Sequence, residues 1–459
     1  MTTLTTALLA LSLAQAPQTL NLQQALQRAD EANLDLQAAR TRVTQAKASV
    51  WKAWSGHLLQ IGASGAWNVN DRAAVLNLPV GYTVVDTGST PAQVPPGSPA
   101  GATPTPYVAV PSSFIGATIQ PRTQLAGQVQ ATQVLLAPQL WFAIQGAYRA
   151  EDAVISSVEN ARRDILFGVA QTYYGVASLK RLVDVSEQLQ QIAGRQAKDA
   201  EIRFKAGTIA KVAKLRADID LTRAEQDLLR AKNSYQGARL ALSVLLDRQP
   251  DFEVVEPAEP ALPADTSKLE QAALDNRQDL KAARSLEGAY SSQRLASAMR
   301  YLPTVAAFGR ATYADPAGLT GAKEAWTIGL SLNWTILDGG LREAELRDTS
   351  ARIAEAEYSR RALENRARAE VRSALLDLES ARANALKARE QRELAAENHR
   401  LVDVSFKAGA ATAVEQADAT AALRNAEIQL ATETLQAQLA AVRVLRASGT
   451  FDPGKSSQN

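Results

Sequence analysis

Few residues in this chain have the type and spacing that chemistry requires. Among 459 residues there are two histidines, His57 and His399, and no cysteine. Neither histidine sits in a metal-ligand spacing, and no phosphate-binding loop, dinucleotide fingerprint or nucleophile motif stands in a convincing context. An enzyme is therefore not expected, nor a cofactor. The acidic pair Glu415 and Asp418 is the one polar constellation worth following, because an i,i+3 spacing places both carboxylates on one helix face. On a single helix such a pair is an ordinary solvated surface. It gains a function only if the architecture brings several copies of that face together.

The elements that would position these residues are long and thin. The apolar fraction is 46% but aromatics are only 5%, and long stretches consist of Ala, Leu, Gln, Arg and Glu, the composition of extended helices rather than compact cores. Lys plus Arg, 50, nearly cancels Asp plus Glu, 48, and no run of like charge marks a nucleic-acid partner. Without cysteine there can be no disulfide and no lipid-modified N-terminal cysteine. Residues 1–16 read as a secretory signal peptide, with an apolar core from Ala7 to Leu13 and Ala14-Gln15-Ala16 as the cleavage pattern. They lack a preceding Lys or Arg.

The chain is a tandem repeat. Leu36-Gln37-Ala38-Ala39-Arg40 recurs as Leu280-Lys281-Ala282-Ala283-Arg284, an offset of 244, and Phe204-Lys205-Ala206-Gly207 recurs as Phe406-Lys407-Ala408-Gly409, an offset of 202. The offsets differ by 42 residues, which places an insertion in the first copy within the Pro/Gly/Thr-rich segment from Leu78 to Pro121. That segment is expected to be one long exposed loop. The first copy covers 17–248, a Pro-rich linker 249–266, the second copy 267–447 and a tail 448–459. Each copy reads as helix (about 20–55 and 267–300), strand, strand, very long helix (about 140–204 and 341–405), a Phe-Lys-Ala-Gly turn and a further helix (about 208–247 and 410–447). A helix of some 65 residues would be roughly 100 Å long. It must pack side by side with others as a coiled coil or helical wall.

The strands are expected at about 57–70, 122–137, 302–314 and 325–337. From Trp326 to Ile336 every second residue is apolar, with Thr327, Gly329, Ser331, Asn333 and Thr335 opposite. The third segment follows the first at the 244 offset, and the second is less regular, with Gln133 on its apolar side. No stretch approaches a membrane helix, so a membrane would have to be crossed by strands. Four strands cannot close around water and an open sheet edge cannot sit in lipid. Three chains would supply twelve.

In the order of these elements, the duplicated Phe-Lys-Ala-Gly turn and Leu337-Asp338-Gly339-Gly340 at a strand-to-helix switch, the chain resembles outer membrane efflux proteins of the TolC family from Leu20 to about Leu445. The resemblance implies a mixed membrane protein: a homotrimer with a twelve-stranded β-barrel in outer-membrane lipid, continued by a periplasmic α-helical barrel. It further implies docking onto a periplasmic adaptor (membrane fusion protein) and an inner-membrane pump of the RND or ABC type, for efflux or type I secretion. By the same resemblance Glu415 and Asp418 line the pore entrance. Phe204, Gly207, Thr208, Phe406 and Gly409 form the tips that meet the adaptor, and Asp338, Gly339 and Gly340 form the strand-helix switch. The polar lock that holds such entrances shut falls here on Phe406, Ala411 and Ala213, none of which can make it. A soluble or peripheral periplasmic coiled-coil scaffold would account for the helices, but not for the oily strands or the signal.

Overall fold

A computed structural model describes residues 18–86, 107–258, 260–262, 266–317 and 321–451; the expected signal peptide and most of the tail lie outside them. Two compact units divide the chain, one of Met1–Val50, Gln145–Ser292 and Asp348–Asn459, the other of Trp51–Ile144 and Gln293–Arg347.

The first unit is helical. In chain order it holds the short strand β1 (Gln18–Leu20), α1 (Leu22–Ala32) and the start of α2 (Leu34–Ser55), then most of α3 (Pro138–Lys205) and all of α4 (Lys211–Leu245). The linker adds β6 (Phe252–Val254), and the second copy α5 (Leu269–Asn276), most of α6 (Gln278–Met299), most of α7 (Leu341–Lys407) and all of α8 (Ala413–Ala447). At 68 and 67 residues, α3 and α7 are each about 100 Å long. Small buried residues, among them Ala193, Ala197, Ala231, Ala388, Ala419 and Ala426, let neighbouring helices approach closely, which is why so few aromatics suffice. Ion pairs then tie helix to helix: Lys232–Glu187 (2.8 Å) between α4 and α3, Arg392–Glu427 (2.7 Å) between α7 and α8, and Arg424–Asp227 (3.3 Å) between α8 and α4.

The larger core gathers around Tyr173 and Tyr174 with Leu26, Leu166, Leu242, Phe252 and Val254. The Tyr173 hydroxyl reaches the Leu20 and Val255 carbonyls, both at 2.7 Å, and burial pushes its pKa up to about 12. The linker 249–266 is therefore more than a connector, since β6 pairs in parallel with β1 and clamps the two copies together. Asp30 accepts two hydrogen bonds from Arg162, at 2.8 and 2.7 Å, and this guanidinium holds its carboxyl below the usual range.

The single first helix expected in each copy is broken at the equivalent position. Asn33 (φ −60°, ψ 124°) and Arg277 (φ −65°, ψ 128°) both leave helical geometry. Each reaches the carbonyl of the last residue of the returning helix, Asn33 to Leu245 (3.0 Å) and Arg277 to Ala447 (3.5 Å). Neither residue is a Pro or Gly; the break is made by the partner that the side chain finds. The returning helices end alike on a positive φ, Asp247 at 46° and Gly449 at 69°. A Cβ on Gly449 would lie 3.0 Å from the Arg277 nitrogen and 3.2 Å from the Asn276 carbonyl carbon, backbone that cannot yield. Gly449→Ala is thus expected to cost about 1–3 kcal/mol. Asp247→Gly, relieving a side chain from a left-handed site, is expected to add roughly 0.5–1 kcal/mol. Thermal unfolding of the detergent-solubilised variants checks both, and a change of the same sign in the two would contradict the reading.

The second unit carries the strands β2 (Gln60–Val69), β3 (Ala74–Asp86), β4 (Tyr107–Gln120), β5 (Thr123–Leu136), β7 (Thr304–Asp315) and β8 (Glu324–Asn333). Four of them form one antiparallel sheet in the order β2-β5-β7-β8. The alternation read as far as Ile336 outruns the strand, which leaves the ladder after Asn333. The reading of Leu78 to Pro121 as one loop is overturned, because β3 and β4 pair as a two-stranded antiparallel ribbon. Its prolines misled: with no third strand each long edge is open, and Pro79 and Pro111 sit beside register shifts at Gly81 and Tyr82, where a missing N–H breaks no sheet.

Candidate functional site

Three places bear on function, the helix tips, the sheet and the switch between them in sequence. At the tips, both Phe-Lys-Ala-Gly turns close as the same left-handed cap. Gly207 (φ 74°) donates to Phe204 O (2.9 Å) and Thr208 to Arg203 O (2.9 Å); Gly409 (φ 78°) donates to Phe406 O (3.1 Å) and Ala410 to Ser405 O (2.8 Å). Beyond the second turn Thr412 caps α8, accepting from Glu415 N (3.3 Å), while its own backbone N–H donates to the Glu415 carboxylate (2.7 Å). Glu415 is therefore half of a capping box. The Thr412 backbone N–H, helped by the hydroxyl, lowers its pKa. Thr412-Ala-Val-Glu415 could have been recognised in the sequence as this signature. Asp418, one turn later, is exposed in the single chain, as Glu415 is.

The positions Phe406, Ala411 and Ala213 make no polar lock, and the tips are joined by a residue that sequence spacing did not flag. The Arg203 guanidinium lies over the Phe406 ring, 5.0 Å from its centroid, and donates to Phe406 O (3.5 Å). This is a cation–π contact between the first turn and the second. Phe204 is 37% exposed.

The sheet presents one oily face. Across the register Trp67 meets Leu125, Val129 meets Ala63 and Ala311, and Ala307 meets Leu330. Trp326, Ile328 and Leu330 are more than 70% exposed. The opposite face carries Gln128, Gln130 and Thr132 in a side-chain ladder, with Arg310 beside Gln130 and Thr327. Gln133, the exception on the oily face, donates to His57 O at 2.7 Å just before β2. Aromatic residues cluster at both strand ends: Trp67, Tyr313 and Trp326 at one, Trp54, Trp141 and Trp334 at the other. Trp54 and Trp141 pack edge to face at 6.4 Å. Trp326 and Trp334, eight residues apart in sequence, are separated by about 26 Å of extended chain, which at a strand tilt of about 40° spans roughly 20 Å of an outer-membrane apolar band about 25 Å tall. No described helix is long and apolar enough to cross a membrane.

At the switch, Gly339 (φ 70°) and Gly340 (φ 90°) turn the chain into α7. Asp338 pairs with buried Arg342 at 2.8 Å, and Arg342 also holds Ile336 O (2.9 Å) and lies 4.4 Å from the Tyr301 ring centroid. Arg342 and Tyr301 were invisible to the motif reading, because their partners are fixed by the fold rather than by spacing. The first copy makes the same switch with Pro138 at the first helical position, where proline's fixed φ suits the start of a helix.

A sheet with one oily face, aromatic ends and two free edges, together with long helical hairpins, defines a membrane-inserted channel subunit. Comparison with known proteins gives the same class. Residues 22–248 and 269–450 match the outer membrane efflux protein family, and the chain belongs to that family. Solved structures of the same fold include VceC of Vibrio cholerae (19% identity, 93% of this chain and 96% of that one, TM-score 0.70). CmeC of Campylobacter jejuni is another (14%, 95% and 88%, TM-score 0.72). A curated relative is the cobalt-zinc-cadmium resistance protein CzcC of Cupriavidus metallidurans, 29% identical over 144 residues, 31% of this chain and 34% of CzcC. The match thus spans about a third of that relative. The protein is an outer-membrane efflux channel component, and the scaffold alternative falls away.

Proposed function

We propose that three copies close one twelve-stranded barrel in the outer membrane, forming the passive exit duct of a tripartite efflux or type I secretion system. A periplasmic adaptor and an inner-membrane pump of the RND or ABC type would complete it. The observation that carries this is the sheet order β2-β5-β7-β8, whose outer strands have no further partner among the described residues. Four alternating strands leave β2 and β8 antiparallel to each other, so β8 of one copy can pair with β2 of the next and the ring closes without a polarity clash. Lipid tolerates no open edge. In this arrangement the β3–β4 ribbon is extracellular and the helices periplasmic, with the two turns at the tips that meet the adaptor.

The test is topology and conduction. An epitope inserted near Ser98, which lies outside the described residues, is expected to label on intact cells, and the purified protein to form ion-conducting channels in planar bilayers. An inserted protein that labels only after lysis would reverse the topology. A host lacking its own exit duct, complemented with this gene, can be scored for drug export and for cobalt, zinc and cadmium export, the latter prompted by the relation to CzcC.

The acidic pair now divides into two roles. Glu415 holds the start of α8, and Asp418 is the better candidate for a cation-attracting ring at the entrance, where three-fold symmetry brings identical carboxylates together. Asp418→Asn is expected to reduce cation over anion selectivity by about two- to five-fold with the trimer intact. Glu415→Gln, which keeps an acceptor for the cap, is expected to change selectivity less. Reversal potentials in a salt gradient measure both; unchanged selectivity in Asp418→Asn would make it a solvated surface residue.

A further inference from the structure

The insertion that distinguishes the first copy has no role in the duct as described. Among the described residues its strands β3 and β4 pair only with each other, and a two-stranded ribbon alone is marginal in water. Yet both of its faces are apolar: Leu78 pairs with Ile115 on one and Pro79 with Phe114 on the other. Phe114 and Ile115 are 59% and 57% exposed. Residues 74–85 and 109–120 contain no charged side chain. Charges lie outside this stretch, Asp86 at the far end of β3 and Asp71, Arg72 and Arg122 at the root, where Asn70 joins the strands through Arg122 O (2.7 Å) and Pro121 O (2.8 Å).

We propose that the β3–β4 ribbons of three copies pack against one another over the outer mouth of the barrel, forming an uncharged cap that narrows the exit. The proposal rests on the trimeric reading above. The root gives the first argument, because β3 continues from β2, the free edge of the sheet, so the ribbon rises at the seam where the next copy must join. Reach gives the second. The uncharged residues 74–85 of β3 span about 40 Å of extended chain, whereas twelve strands at about 4.8 Å spacing and roughly 40° tilt enclose a backbone radius of only about 12 Å. Each ribbon can therefore meet the other two at the axis. Charge gives the third: identical uncharged surfaces can touch without repulsion. Anionic lipid headgroups would call for cations that the ribbon lacks, and the charged root beyond the Trp67 belt places the ribbon outside the hydrocarbon layer.

The absence of native cysteine makes a direct test available. Phe114→Cys and Ile115→Cys sample the two faces; treated with a short bis-maleimide in outer-membrane vesicles, at least one is expected to give covalent dimers on denaturing gels, while Lys323→Cys at the β7–β8 turn stays monomeric. Native mass spectrometry of the same samples reports the trimer. A trimer with no crosslink at either position overturns the cap alone, and loss of the trimer in the unmodified protein overturns the assembly on which it rests. Quenching by brominated lipid of a fluorophore attached to either introduced thiol, without crosslinking, would place the ribbon in the membrane and also reject the cap. In parallel, replacing residues 74–120 by an Asn-Gly turn is expected to raise single-channel conductance about two-fold or more; unchanged conductance counts against a cap that narrows the exit.

Discussion

Replacing Ile328 with Arg is expected to remove the protein from the outer membrane. Ile328 lies between Trp326 and Trp334 on the oily face of β8 and is 77% exposed in the single chain, so in the barrel it meets lipid. An Arg on a β-barrel surface costs about 2–4 kcal/mol at the bilayer midplane and about 0–1 at the interface; at Ile328, between the two, about 1–3 kcal/mol is expected, hence roughly 3–9 kcal/mol for three copies, comparable with the whole stability of an ordinary domain. Thr327→Glu is the matched control. Thr327 faces the other way, directly across from Arg310, and a carboxylate there gains an opposite charge as its cross-strand partner. Fractionation should find Thr327→Glu in the outer membrane and Ile328→Arg degraded or in the periplasm. Equal insertion of both would show that this face does not meet lipid.

The second large effect is expected at the tips. Arg203→Ala removes both the cation–π contact with Phe406 and the bond to its carbonyl. A contact of about 0.5–2 kcal/mol in each copy amounts to roughly 1.5–6 kcal/mol over three. Since about 1.4 kcal/mol is a factor of ten in an equilibrium, an entrance restrained by this contact would shift toward open by at least about ten-fold. The variant should show higher conductance and make cells sensitive to bulky antibiotics that normally stay outside. Phe406→Leu removes the ring but keeps the carbonyl and should give the larger part of the effect, and the double variant should add little to Arg203→Ala, because the ring contact is already lost there. Additive effects would indicate two separate restraints.

How much of this was legible in sequence followed from the range of the interactions. The long helices, the four strands and both glycine turns rest on local pattern, which the repeat register reinforces. The ribbon was missed because composition was weighed over alternation: Leu76, Leu78 and Val80 alternate, but Pro and Gly around them read as loop. Asn33 and Arg277 break their helices by reaching residues some 170–210 positions away, which no local signal announces. Arg203 on Phe406, 203 residues apart, is of the same kind. The family pattern indicated that the usual lock cannot form on Phe406, Ala411 and Ala213, and only the fold brought Arg203 onto Phe406.

The closure of β2 on β8 between copies underlies the whole functional account, and the number of chains tests it most directly. Native mass spectrometry of the protein released from detergent micelles should show a single species of three chains. A monomer, a dimer, or a protein that stays folded and dispersed in water without detergent would contradict a barrel built from three four-stranded sheets.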